Sequence, residues 1–434
     1  MFKKLFLILF FINLVFSQSF TWLGSLETPY AEAHGVSDDG RVVAGWAGVY
    51  SPHYAWRWTP ETGMVIINPL SPGRSAEAWG LSANGAVVVG YGFIGTSNIY
   101  RGFRWHNDTM YQFGTLGGSV SWAYDASYDG LVVVGSAEHS SGYNHAFRWK
   151  PDSGMQDLGT LPGALRSVAT GVSLDGRVVV GWSGFPGQIH HAFRWENGVM
   201  EDIHNPAFGF SEALDVSGNG EVVVGVLGPT SSTPLKAFRW TRTTGMYDLG
   251  TLGGEWSEAW AANYDGSIVV GWAEVSQGDW HAFRWTENNG MEDLNVTYAN
   301  IIPPGCVLRD AMAISSNGRF IVGRGYNAQT GRDEAYLLDT QGTGLTEDKF
   351  SETNLKTLLV KRNFLINYEI PKKTDVKLII YDKLGKEIKT LINKIQEPGK
   401  YSLKFNINDL PNNVYFYKLK IGKSFKIGKI INCF

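Results

Sequence analysis

The sequence predicts an all-β chain: a seven-bladed β-propeller with four strands per blade, then a small C-terminal immunoglobulin-like β-sandwich. Two observations predict it. A unit of about 45 residues recurs seven times, and near residue 350 the charge and strand pattern change abruptly. Repeats of this length built from four short strands mark propeller blades. Helical spacing of apolar residues is nowhere sustained, which excludes a helical solenoid.

The repeat is clearest at Phe-Arg-Trp, which ends at Trp105, Trp149, Trp195, Trp240 and Trp285. Trp56-Arg57-Trp58 is an earlier copy and Ala335-Tyr336-Leu337-Leu338 a decayed last one, giving spacings of 47, 44, 46, 45, 45 and 53 residues. Each unit also carries an Asp-Gly or Asn-Gly pair before a β-branched run, from Asp39-Gly40 to Asn317-Gly318. Such a pair reads as a two-residue hairpin turn with both residues at positive φ. In the unit that begins at Trp256, strands are expected over 257–263, 267–272, 281–285 and 291–294. Phe20-Thr-Trp22-Leu-Gly-Ser-Leu26 matches the fourth-strand phrase Asp157-Leu-Gly-Thr-Leu161, whereas the last unit stops at its third strand near Asp339. The N-terminal strand is therefore expected to complete the blade begun by residues 301–339, which hides an edge strand.

Aligned on the turns, the innermost strands all carry alanine at one position: Ala33, Ala78, Ala123, Ala169, Ala213, Ala259 and Ala311. One face is thus kept small for bulky side chains of an adjacent blade, with the Phe and Trp of Phe-Arg-Trp as the expected partners.

Charge divides the chain. Residues 18–350 hold 19 Lys+Arg against 34 Asp+Glu, and residues 351–434 hold 17 against 7. The expected organisation is a signal peptide over 1–17, a propeller over 18–339, a linker over 340–362 and a sandwich over 363–434. Lys3-Lys4, an apolar run and Val15-Phe16-Ser17 form the leader, too short for a membrane span. An acidic first domain argues against nucleic acid as partner. Cys306 and Cys433 fall in different domains, so packing rather than a disulfide is expected to stabilise the fold.

Ala-Phe-Arg-Trp, Gly-Met-x-Asp-Leu-Gly-Thr-Leu and Ser-x-Asp-Gly-x-Val-Val-Val-Gly resemble the HAF repeat family of extracellular proteins, over roughly residues 19–339. That resemblance implies export and repeat architecture rather than a defined activity. Tyr381-Asp-Lys-Leu-Gly-Lys-Glu387, Leu410-Pro-Asn-Asn-Val-Tyr-Phe-Tyr-Lys-Leu419 and the basic Lys-Ile-Ile ending resemble the C-terminal sorting domain of type IX secretion, although its usual opening Tyr-Pro-Asn-Pro is absent before Asn367. The implied partner is the secretion machinery, and the implied location is secreted or attached to the outer surface.

Several motifs invite chemistry and read better as structure. His145, His191 and His281 precede Ala-Phe-Arg-Trp, but the slot also takes Tyr54, Arg101, Lys236 and Glu334, and copies in separate blades lie too far apart to share an ion. Asp125-x-Ser127-x-Asp129-Gly130 and Asp215-x-Ser217-x-Asn219-Gly220 lack the closing glutamate of a calcium loop and read as turns. The arginines of Phe-Arg-Trp form a ladder whose expected partners are Asp157, Asp202, Asp248 and Asp293, or nearby tryptophans. No metal or cofactor is expected.

The candidate ligand positions flank the repeated alanines: Tyr30, Glu32 and His34; Glu77 and Trp79; Trp122 and Tyr124; Phe210 and Glu212; Trp256, Glu258 and Trp260; and Asp310. Five acids in seven blades are expected near one mouth of the central channel. Carboxylates interleaved with aromatics suit sugars, cations or peptide amines, and pairing of each acid with a repeated arginine is the structural alternative. There is no Ser-His-Asp pattern, zinc spacing or phosphate loop. The expectation is a non-catalytic surface binding module for glycan or protein. A polysaccharide-acting enzyme using two ring carboxylates and a purely structural envelope protein remain as alternatives.

Overall fold

The computed structural model describes residues 18–340 except 97, 98 and 232, and residues 356–432 except 361–362, 371–372, 383–386, 407–412 and 422–423. The expected leader and Cys433 lie outside these residues. The chain divides near residue 343 into two compact units.

The first unit is seven four-stranded antiparallel sheets. Counted from the inner strands, blades one to seven begin at Ala31–Val36, Ala76–Leu81, Gly117–Ala126, Arg166–Val172, Phe210–Val216, Gly253–Ala262 and Val307–Ile314. The seventh blade takes its outer strand from the other end of the chain: Ser19–Gly24 pairs antiparallel with Arg332–Asp339, in the register Phe20↔Leu338. This is the closure the repeat phrasing predicts.

Each inner strand bulges just after its alanine, as at Ala33/Gly35 and Ala123/Asp125. The bulge presses the preceding carbonyl against the second strand. Opposite it stands the glycine that ends Val-Val-Val-Gly: a Cβ on Gly135 would lie 2.0 Å from the Trp122 carbonyl, and one on Gly181 would lie 1.9 Å from that of Val168. Glycine is therefore required there by proximity, not by turn geometry.

The inner hairpins are not two-residue turns. Only their glycines have positive φ, as Gly40 at 68° and Gly130 at 66°. The Gly40 N–H donates to the carbonyl of Ser37, three residues back. The Asp39 carboxylate takes hydrogen bonds from Ser37 Oγ and the Arg41 N–H. That side chain satisfies the local donors itself, so aspartate has no need of the left-handed region.

These turns also link the blades. Asp38 N–H donates to Ala83 O, Asn84 to Tyr128, Tyr128 to Leu174, Leu174 to Gly218, Asn219 to Tyr264 and Tyr264 to Ser316. Ser316 N–H completes the circuit on the Asp38 carboxylate at 2.9 Å. Seven apolar layers fill the seams between neighbouring blades. In one, Val87 and Val89 of blade two meet Ala123, Phe147 and Trp149 of blade three. The bulky Phe and Trp thus share the face of their own blade's alanine, and the approaching side chains are the previous blade's valines. This reverses the expected partnership, because the third strand's Phe reaches over the strand-two glycine beside it.

The second unit holds a three-stranded sheet, in the order Lys356–Val360, Asn363–Ile370, Gly399–Asn406, and a four-stranded sheet, in the order Glu387–Gln396, Thr374–Asp382, Asn413–Ile421, Ser424–Asn432. Alternate residues form one core, including Ile366, Tyr368, Leu378, Ile380, Tyr415 and Tyr417. Period-two alternation with one buried face is what the sequence of this segment dictates.

Candidate functional site

A cavity of about 340 Å³ runs along the axis of the first unit. Every blade supplies the residue just after its alanine to the lining: His34, Trp79, Tyr124, Thr170, Leu214, Trp260 and Met312. Two partly buried carboxylates join them, Asp125 and Asp215. Burial raises both above the ordinary carboxylate range, and the charge of Asp215 raises Asp125 further. Each carboxylate also fixes a bulge across a seam, Asp125 by accepting from Val172 N–H at 2.9 Å and Asp215 from Ala262 N–H at 3.0 Å.

The acids stand two residues nearer the start of each inner strand, at the end away from the turns, and none lines this axial cavity. The repeated arginines do not reach them. Nε of Arg104, Arg148 and Arg239 donates to the turn carbonyls of Gly130, Gly176 and Gly266 in the following blade. Arg57, Arg148 and Arg239 also lie 5.9 Å from the rings of Trp105, Trp195 and Trp285 in the next blade. Asp157, Asp202 and Asp293 pair instead with His145, His191 and His281 on the adjacent strand. The third strand's alternation sends its arginine across the seam, out of reach of these aspartates.

The acids therefore have local partners. Glu32 takes the Tyr30 hydroxyl and lies 2.9 Å from His34 Nε2. Burial opposes its ionisation, but the hydrogen bond and charge of His34, with Arg324 3.7 Å away, hold it below the usual range. Asp310 accepts from Arg324 Nε at 2.7 Å, yet burial pushes it up to about 6. Glu258 accepts from Trp272 Nε1 at 3.1 Å and is pushed up to about 7, first by burial and then by the charges of Glu212 and Asp310 in the flanking blades. Glu212 meets His190 Nδ1 at 2.5 Å, and His190 stacks on Trp182 with centroids 4.1 Å apart. Phe210 is buried with Val226 and Leu235, and Trp256 packs against that cluster.

The densest arrangement surrounds Glu77. Its Oε1 lies 2.6 Å from His53 Nδ1, and its Oε2 accepts from Trp79 Nε1 at 3.0 Å and the Tyr91 hydroxyl at 2.6 Å. A cavity of about 360 Å³ opens beside it, lined by Ser51, His53, Arg74, Glu77, Tyr91, Phe93 and Tyr100 among others. Aromatic contacts continue across three blades: Tyr30 to Trp46 at 5.3 Å, Trp46 to His53 at 4.8 Å, Tyr91 to Tyr100 at 5.7 Å and Tyr100 to Trp122 at 5.9 Å. Tyr124 touches this surface through Trp79.

Trp46, His53, Tyr91, Tyr100, Trp182, Trp272 and Arg324 were not singled out by sequence. The signal for several of them is the residue after the strand-two glycine. Register pairs it with the acid position: Glu32↔Trp46, Glu77↔Tyr91, Glu258↔Trp272 and Asp310↔Arg324.

The second unit presents a different chemistry, a basic surface on a two-sheet core. Its residues 360–432 match the family model described as secretion system C-terminal sorting domain. The chain ends in a sorting domain. That domain indicates interaction with secretion machinery and an extracellular or outer-surface location. No curated protein matches the chain. Among solved structures, the β-propeller domain of the Trilobed protease from Pyrococcus furiosus is 11% identical, covering 71% of this chain and 95% of that one, with a TM-score of 0.45. Kuenenia stuttgartiensis hydrazine synthase is 12% identical, with 72% and 96% covered and a TM-score of 0.42. TolB from Acinetobacter baumannii is also 12% identical, with 70% and 81% covered and a TM-score of 0.40. Upstream of the sorting domain, no helix among the described residues is long and apolar enough to cross a membrane.

Proposed function

We propose that this is an exported, non-catalytic carbohydrate-binding propeller, of the HAF-repeat type its phrases resemble, delivered by its leader and sorting domain. The observation that carries the reading is Glu77: a carboxylate pre-oriented by three donors, beside a cavity of about 360 Å³ with aromatic rings on its flanks. Sugars present apolar ring faces and rows of hydroxyls, and such sites combine aromatic surface with a few fixed polar groups. The ligand-contacting residues are Glu77, Tyr91, Tyr100 and His53, with Tyr30, Trp46 and Trp122 extending the surface. On a glycan array, Tyr100→Ala and Glu77→Gln should each weaken binding at least about tenfold, a loss of ~1.4 kcal/mol, with the melting temperature nearly unchanged. An empty array, or a bound glycan indifferent to both changes, would overturn the reading.

A polysaccharide-acting enzyme is the second reading, and one observation favours it. Ring acids are pushed in opposite directions, Glu32 of blade one down and Glu258 of blade six up to about 7, as an acid–base pair requires. Turnover of a polysaccharide by the purified protein, abolished by Glu258→Gln, would establish it; a panel of substrates left intact would dismiss it.

A further inference from the structure

Blade three carries a cluster that no other blade shows among the described residues. His139 ends the second strand, Val133–His139; His145 lies on the third, Asn144–Lys150; and Asp157 lies on the fourth, Gly154–Gly159. A tight hairpin joins the first two, with Gly142 at φ 85° and the His139 N–H donating to Tyr143 O at 2.9 Å. The two imidazoles consequently stack, with centroids 4.4 Å apart and planes 3° from parallel. His145 Nδ1 is 3.0 Å from Asp157 Oδ2, and His139 Nε2 is 4.0 Å from the same oxygen. Among the described residues this is the one group of three or more His, Cys, Asp or Glu side chains whose ligand atoms all fall within 4.8 Å of one another.

We propose that His139, His145 and Asp157 form a surface binding site for a borderline divalent cation of the zinc class. Two imidazoles and a carboxylate are the donor set that such ions prefer, with remaining positions open to water or a ligand. The second shell fits. Asp157 Oδ1 already accepts from Gly159 N–H at 2.8 Å, which orients the carboxylate and leaves Oδ2 toward the histidines. His139 Nδ1 accepts the Ser141 N–H at 3.1 Å and lies 3.0 Å from Ser141 Oγ, with Ser140 Oγ 3.4 Å from Nε2. Binding an ion through Nε2 therefore requires the Nδ1–H tautomer, whose proton then goes to Ser141 Oγ. The side chains are 32%, 16% and 33% exposed, so an ion can enter.

Blade six supplies an internal comparison. It repeats the same framework: Thr115 and Thr251 each donate to a glycine carbonyl three residues on at 2.9 Å, and Leu116 bridges to His139 as Leu252 bridges to Val275. His281 and Asp293 occupy the places of His145 and Asp157, 2.6 Å apart. Valine stands where blade three has histidine. In blade four His191 stacks on His204, but both nitrogens of His204 are taken, by Ser211 Oγ and Phe208 O. Among the described residues only blade three brings a second imidazole within 4.8 Å of both the first imidazole and the carboxylate.

The test is zinc titration of the full, tag-free chain, stripped of metal and followed by calorimetry. One zinc should bind per chain, and His139→Val, which installs the blade-six residue, should weaken it at least about tenfold, the least that loss of even an outer partner costs. Absence of zinc binding, or binding indifferent to His139→Val, overturns the proposal. Should that variant fold poorly, Val275→His in blade six gives the complementary result: a stoichiometry of two supports the geometry, and a stoichiometry of one overturns it.

Discussion

Arg148 of blade three donates from both Nε and Nη2 to the carbonyl of Gly176 in blade four, at 3.0 and 2.6 Å. The guanidinium also covers Trp195 of that blade. One side chain thus satisfies a turn carbonyl across the seam and packs on the neighbour's aromatic ring.

Lysine cannot reproduce that fork. Arg148→Lys should therefore destabilise the first unit by about 1–2 kcal/mol, the scale of a half-buried charge-assisted hydrogen bond, read as a lower midpoint in urea denaturation. An unchanged midpoint would show that the seam does not depend on it.

The strand-two glycines are more demanding. A Cβ at Gly181 would meet the Val168 carbonyl at 1.9 Å, and backbone cannot swing aside as a side chain can. Gly181→Ala should cost about 3 kcal/mol or more, in the range of severe overpacking and backbone strain. Gly187, with no atom within 4 Å of its position for a Cβ, tests the contrast: Gly187→Ala bears only the strain of its φ of 83° and should cost about 1 kcal/mol.

Much of this was legible in sequence. Seven copies of Phe-Arg-Trp and of the Asx-Gly turn fix the blade count, and the unmatched fourth-strand phrase at Phe20 fixes the closure by Arg332–Asp339. What the repeat hides is which way its side chains cross a seam. Arg148 and Asp157 look adjacent in sequence logic, yet strand alternation sends them to different partners. The proposed ligand surface was half legible. Glu77 and Trp79 stand out beside Ala78, whereas Tyr91 and His53 meet Glu77 only through strand register and the loop before blade one's third strand, and Tyr100 lines the cavity beside it. His139 escaped because histidines were compared between blades, where they are far apart, and its partner lies six residues away in the same blade.

Closure by the N-terminal strand should matter more than its length implies. Phe20 and Trp22 pack with each other at 4.9 Å and join the core around Tyr336 and Leu338. Removing residues 18–24 leaves the strand Arg332–Asp339 with an unpaired edge, a template for a second chain. The truncated protein should elute as dimers or larger species in size-exclusion chromatography while the intact one does not.

Glu258 should write itself into the pH dependence of stability. Its pKa is raised from 4.5 to about 7 in the fold, first by burial and then by the charges of Glu212 and Asp310. The folded state therefore binds a proton more tightly than the unfolded state does. Stability from this group is fully present below about pH 4.5 and is lost as pH rises through 7. A shift of this size corresponds to at most roughly 3 kcal/mol by linkage, reduced by whatever water reaches the carboxyl. In Glu258→Gln the amide oxygen can still accept from Trp272 Nε1, but the titration is gone. The variant should match the parent in melting temperature near pH 4 and exceed it near pH 8, with a flatter slope between. Parallel curves across that interval would mean that Glu258 ionises in the fold as readily as it does in the unfolded chain, and that the carboxylates of neighbouring blades do not feel one another.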